Sequence, residues 1–193
     1  MKIRIDISGD SCFFLALLCM TLPLNWIIAM VFAGFFHELC HALAVMLLGG
    51  TIYCIRIGSS GTIMEISDLC AWKELICALA GPVGSLLLLS MVQYAPYTAL
   101  CGLIHGLYNL LPLYPLDGGR VLYCILKMKY PEERTIHYCN CVNAIFSILL
   151  AGCGILVILC IKAGIMPFLL AVLLLSRSMH RKIPCKDCVL GVQ

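Results

Sequence analysis

Long apolar runs, broken at a few polar points, dominate this chain. From Ser11 to Leu48 the apolar sequence is too long for one bilayer crossing at about 1.5 Å rise per residue, and "TLPLN" (Thr21 to Asn25) interrupts it with turn chemistry. Two helices are therefore predicted. The second runs roughly from Leu24 to Leu48 and stops at Gly49-Gly50. Leu75 to Tyr94, Tyr97 to Leu116, Cys141 to Ile161 and Ile165 to Leu175 add further apolar segments, the last with Pro167 in its first turn. Between the second and third helices, "TIYCIRIGSSGTIMEI" alternates β-branched residues with others on both sides of "GSSG", the pattern of a short hairpin. The fold class expected is an all-α polytopic membrane protein of about six transmembrane helices, with a small membrane-associated β-hairpin between the second and third. Residues 1–178 would form the transmembrane domain and 179–193 a short cytoplasmic tail. The hairpin's exposed edges invite a partner strand or an extended peptide.

Composition supports lipid as the solvent for most of the chain. Hydrophobic residues make up 62% and charged residues 12%, with a mean hydropathy of +1.02, far from the soluble-globular norm. The formal charge of +3 is small and the basic residues are scattered, so nucleic acid is not an expected partner. Their positions do set an orientation. With a cytoplasmic N-terminus, six crossings leave only Lys162 outside and put every other Lys and Arg on the cytoplasmic side, which predicts a multi-pass protein of the cell membrane with both termini cytoplasmic. The start, "MKIRIDISGDSCFFLALLCM", resembles a signal peptide but lacks a small-x-small cleavage site, and is read as a retained first crossing. The 14 cysteines include many inside apolar segments, where Cys behaves as a small hydrophobe. The "CKDC" at Cys185 to Cys188 is a lone pair of thiols rather than a metal site.

Against this apolar background "FFHELCHALAV" stands out. His37 and His41 are four residues apart, hence about 40° around a helix and about 6 Å along it, close enough to grip one ion. Glu38 beside them need not be a ligand. In a zinc site of this form two imidazoles bind the metal, the metal acidifies water, and the glutamate takes the proton. Ionisable residues inside a membrane segment are costly and usually functional, which favours metal binding over a pair of buried, hydrogen-bonded histidines.

Zinc then needs another protein ligand. Of the ten acidic residues, only Glu38 and Asp117 sit against long apolar segments. Asp117 lies in "NLLPLYPLDGGR", where Pro112, Pro115 and Gly118-Gly119 break helical hydrogen bonding at membrane depth, and such backbone is tolerated where it lines a polar cavity. Asp117 is the preferred third ligand, with a helix cap as the plainer reading. His105 competes for that position, though a packed or supporting histidine is favoured. Asn109 could hold a substrate carbonyl or bond another helix. Gly81-Pro82 and Gly84-Ser85 permit close helix approach, a role at least as natural for them as substrate binding.

"HELCH" in one membrane segment, "AGPVGS" in the next and "NLLPLYPLDGG" in the one after resemble the site-2 protease family, the zinc intramembrane metalloproteases of peptidase family M50. Their order and spacing, with "GTIMEI" between the first two, are most similar to the sporulation branch, whose known member processes pro-sigma-K in endospore-forming bacteria. The resemblance covers roughly residues 1–178 and implies one zinc per chain held by His37, His41 and Asp117, with Glu38 activating water to cut a peptide bond. It also implies a bacterial source, a membrane-associated protein substrate such as a tethered pro-sigma factor, and membrane inhibitors or regulators. Two departures stand out: the family often has Asn near the position of Ser85, and the sporulation enzymes commonly carry a nucleotide-sensing CBS domain that is not expected here. The rival from another class is a membrane protein that binds or moves a metal without proteolysis. A transport path usually needs polar residues at several depths, whereas here they cluster at one.

Overall fold

The computed structural model describes residues 4–7, 9, 19–20, 22–58 and 61–161. The chain divides into two compact units, Met1–Leu110 and Leu111–Gln193. Most of the expected first crossing, the crossing from Ile165 to Leu175 and the Cys185–Cys188 pair lie outside the described residues.

In the first unit, Leu24–Leu47 forms helix α1, matching the apolar run read between "TLPLN" and Gly49-Gly50. Ala33, His37, His41 and Val45, one every four residues, make its buried stripe. The outward positions are apolar as well: Ile28, Phe35, Leu43 and Leu47 are all exposed. A helix that is apolar all round suits a lipid environment better than water. Gly49 stops it in the left-handed region at φ +80°, and the Gly50 N–H donates back to the Val45 carbonyl at 2.8 Å. Lys73 Nζ also donates to the Leu48 carbonyl at 2.9 Å, placing a cation where the helix leaves its carbonyls unpaired.

The hairpin is present as β2 (Ile52–Gly58) and β3 (Gly61–Ile66), antiparallel, with Ile52 opposite Ile66 and a register irregularity between Ile52 and Cys54. The sheet holds one strand more than the hairpin. Residues Arg4–Ile7 form β1, which pairs in parallel with β2, Arg4 opposite Cys54, so the strand order is β1-β2-β3. The basic start read as leading into a crossing is thus extended over these residues. "RIDI" alternates polar and apolar at the strand period of two, and it fills one of the two edges the hairpin would otherwise expose. Arg56 and Glu65 form a cross-strand ion pair at 2.7 Å. Ile52, Val45 and Cys77 form a buried cluster with Leu48, Ile55, Met64 and Ile66, so the sheet closes over the helix ends.

Helix α2 (Ala71–Leu87) continues into a 3-10 turn, Leu88–Met91, and α3 (Pro96–Asn109) follows with its proline in the first turn, where the missing N–H costs nothing. Among the described residues, Leu24–Leu47 and Ala71–Met91 are long and apolar enough to cross a membrane.

In the second unit, α4 spans Asp117–Lys127 and α5 spans Glu132–Ile161, starting well before the apolar segment at Cys141. The break read between Asn109 and Asp117 is real, since α3 ends at Asn109 and the two prolines lie in the connection. Gly118 and Gly119, however, do not prolong the break; they open α4. A Cβ at Gly119 would lie 2.6 to 2.7 Å from the backbone of Leu113 and Tyr114, so the glycine lets the first turn fold against its own approach loop. Asn143 Oδ1 on α5 accepts the Tyr114 N–H at 3.0 Å and pins that loop.

Candidate metal centre

On α1 the four-residue spacing brings His37 and His41 onto one face, 2% and 7% exposed. Their Nε2 atoms are 3.1 Å apart. The far side of each ring is anchored: His37 Nδ1 lies 2.9 Å from Ser85 Oγ, and His41 Nδ1 lies 2.7 Å from the Cys77 carbonyl. A carbonyl can only accept, so His41 carries its proton on Nδ1 and, as a neutral ring, presents a lone pair at Nε2. With zinc–nitrogen bonds of about 2.0–2.1 Å in tetrahedral geometry, two ligating nitrogens sit about 3.3 Å apart. The pair therefore fits a shared zinc in spacing, donor chemistry and orienting contacts.

This convergence depends on small residues of α2. Contacts pair Phe36 and Cys40 with Gly84, and His41 with Gly81, so α1 and α2 run antiparallel. A Cβ at Gly81 would overlap the His41 imidazole, and one at Gly84 would overlap Cys40. Gly102 and Gly106 repeat the device on α3: a Cβ at Gly102 would lie 2.7 Å from the Ser85 carbonyl, and one at Gly106 would lie 3.1 Å from that of Pro82. Gly81 and Pro82 are thus buried at helix crossings. Gly81→Ala is expected to lower stability by about 1–3 kcal/mol, the usual cost of overpacking, and to displace His41. A melting curve together with a zinc titration checks both effects; an unchanged protein would mean that the helices part without cost.

His105 meets His37 edge to face, with ring centroids 4.6 Å apart. Asn109 Nδ2 donates to the His105 carbonyl at 3.1 Å, within its own helix. Glu38 is half-buried on α1 next to His37. In the second unit, Asp117 is 7% exposed in the first turn of α4. Leu116, not Asp117, is the N-cap residue. A helix N-terminus favours a carboxylate, and Arg120 Nη1 lies 3.7 Å from its Oδ1. Two supporting contacts escaped the sequence reading: the Ser85 hydroxyl and the Cys77 carbonyl. Ser85 carried a faint signal, lying four residues after Gly81 and so on the same helical face.

Residues 77–150 match the profile described as Peptidase family M50. A zinc metalloprotease of Methanocaldococcus jannaschii is 32% identical over 108 residues, 49% of this chain and 32% of that protein. The match thus spans about a third of that relative's length. A solved site-2 protease from the same organism has the same fold, with a TM-score of 0.70 and 22% identity over 96% of this chain and 93% of that one. The chain thus resembles peptidase family M50 over residues 77–150 and shares its fold with a site-2 protease. The profile match begins at Cys77, so the HELCH motif at 37–41 is a separate observation pointing the same way.

Proposed function

We propose that this chain is an intramembrane zinc metalloendopeptidase that hydrolyses a peptide bond of a membrane-associated protein near the cytoplasmic side. The observation that carries the reading is the buried His37–His41 pair, its Nε2 atoms 3.1 Å apart inside an HExxH sequence. His37, His41 and Asp117 are the residues that would hold the ion: each offers one ligand atom, two imidazole nitrogens and a carboxylate oxygen, and all three are buried. Bound zinc would supply Lewis acidity, polarising the scissile carbonyl and lowering the pKa of water towards neutrality.

The remaining steps fall to the chain's own side chains. Glu38 takes the proton of the attacking water and returns it to the leaving amine nitrogen. Asn109 spends one N–H on the His105 carbonyl and has a second with which to hold the substrate backbone. Gly81 and Pro82 serve the substrate through the helix crossings that fix His41. Six crossings, with both termini in the cytoplasm, place this chemistry towards the cytoplasmic face, where a tethered pro-sigma factor is the candidate substrate. Co-expression with such a substrate is expected to give a shortened product that disappears when zinc is chelated. Equal cleavage with and without chelation would remove the metal from the reading.

A further inference from the structure

The two histidines are anchored by chemically different groups, and the difference has a consequence. His41 Nδ1 faces the Cys77 carbonyl, which cannot donate, so the proton sits on Nδ1 and the neutral ring has its lone pair at Nε2. His37 Nδ1 faces the Ser85 hydroxyl, which can donate or accept by turning about its Cβ–Oγ bond. If both rings kept protons on Nδ1, two lone pairs would meet across 3.1 Å, a distance that suits a proton or a cation between them.

We propose that Ser85 is a positioning residue that lets His37 change tautomer when the metal enters and leaves. Without metal, His37 carries its proton on Nε2 and donates it to His41 Nε2, while the Ser85 hydroxyl donates to His37 Nδ1. With metal bound, the His37 Nε2 lone pair is a ligand, its proton sits on Nδ1, and Ser85 Oγ accepts it. The imidazole is neutral in both states: one N–H bond breaks at Nε2 and one forms at Nδ1, the proton passing through water admitted only while the site opens to take up or release the ion. Ser85 is 0% exposed, so no bulk water is at hand to replace the hydroxyl in either arrangement. A buried ring nitrogen facing an inert group would lose a hydrogen bond in one state or both. The inference rests on the reading that His37 and His41 hold the metal.

Nitrogen-15 NMR of histidine-labelled wild-type protein tests it without any substitution. The expected spectra show His37 protonated on Nε2 in the metal-free protein and on Nδ1 after zinc is added, with His41 protonated on Nδ1 in both. Resonances of both rings that respond to zinc while His37 keeps one tautomer would overturn this inference and leave the metal pair standing. Resonances that ignore zinc would overturn the metal reading and the inference with it. Ser85→Ala, if it keeps the wild-type melting temperature, is expected to bind zinc about 10–100-fold more weakly in competition with a chelator, the usual effect of removing a contact that orients a ligand. Unchanged zinc affinity in that variant would count against the inference.

Discussion

Glu38→Gln is expected to lower cleavage of a tethered substrate by about 10²–10⁴-fold, the range a positioned general base contributes, while the purified protein retains zinc. Glutamine keeps the size of the side chain and removes only its capacity to take a proton. The two imidazoles that would bind the ion are oriented from their far sides by Ser85 and Cys77, not by Glu38, so the substitution leaves their orientation intact. Gel analysis of the co-expressed substrate, paired with metal analysis of both proteins, gives the two readouts together. Cleavage undiminished in the variant would assign the proton transfer elsewhere, and zinc lost from it would make Glu38 part of the binding set. A metal carrier has no need of a base, so the same pair of readouts separates the protease from its rival.

Asp117→Ala is expected to remove zinc and, with it, cleavage. Two imidazoles alone leave the ion one protein ligand short of the usual three for a catalytic site. Arg120, one further partner of this carboxylate, has a side chain 42% exposed, and an ion pair with one such exposed partner contributes little to stability. Metal content and melting temperature measured on the same preparation distinguish a lost ligand from a misfolded chain. If zinc stays in the variant, attention passes to His105, whose ring already meets that of His37.

Features written in local pattern were legible in the sequence. The α1 helix is bounded by a Pro-containing turn and by a glycine in the left-handed region, and both signals act within a few residues. The hairpin likewise follows from alternation around a glycine-serine turn. The parallel strand β1 was not legible, because four residues carry little periodicity and their partner lies some fifty residues on. The second glycine pair misled for a related reason: Gly118 and Gly119 look like helix breakers in isolation, but they lie in the first turn of α4, where Gly119 packs closely on Leu113 and Tyr114.

The candidate site divides along the same line. HExxH announces itself because its spacing is the helix repeat, and Asp117 emerged because few acidic residues border apolar sequence. In the sequence Ser85 reads only as a packing residue and as a departure from the family's asparagine, since a serine among small residues does not show a bond to a histidine until the His37 ring is seen 2.9 Å from its hydroxyl. The sequence offered Gly81 only as a packing or substrate residue, and the structure adds the particular ring it makes room for.

The central claim is that this chain holds zinc through imidazole nitrogen and carboxylate oxygen at an HExxH pair. X-ray absorption at the zinc edge of the purified wild-type protein tests it most directly. The account predicts one zinc per chain surrounded by nitrogen and oxygen at about 2.0–2.2 Å, with no sulfur shell. A sulfur shell at about 2.3 Å would move the metal to the cysteines and contradict the account; a protein that takes up no zinc would contradict it as fully.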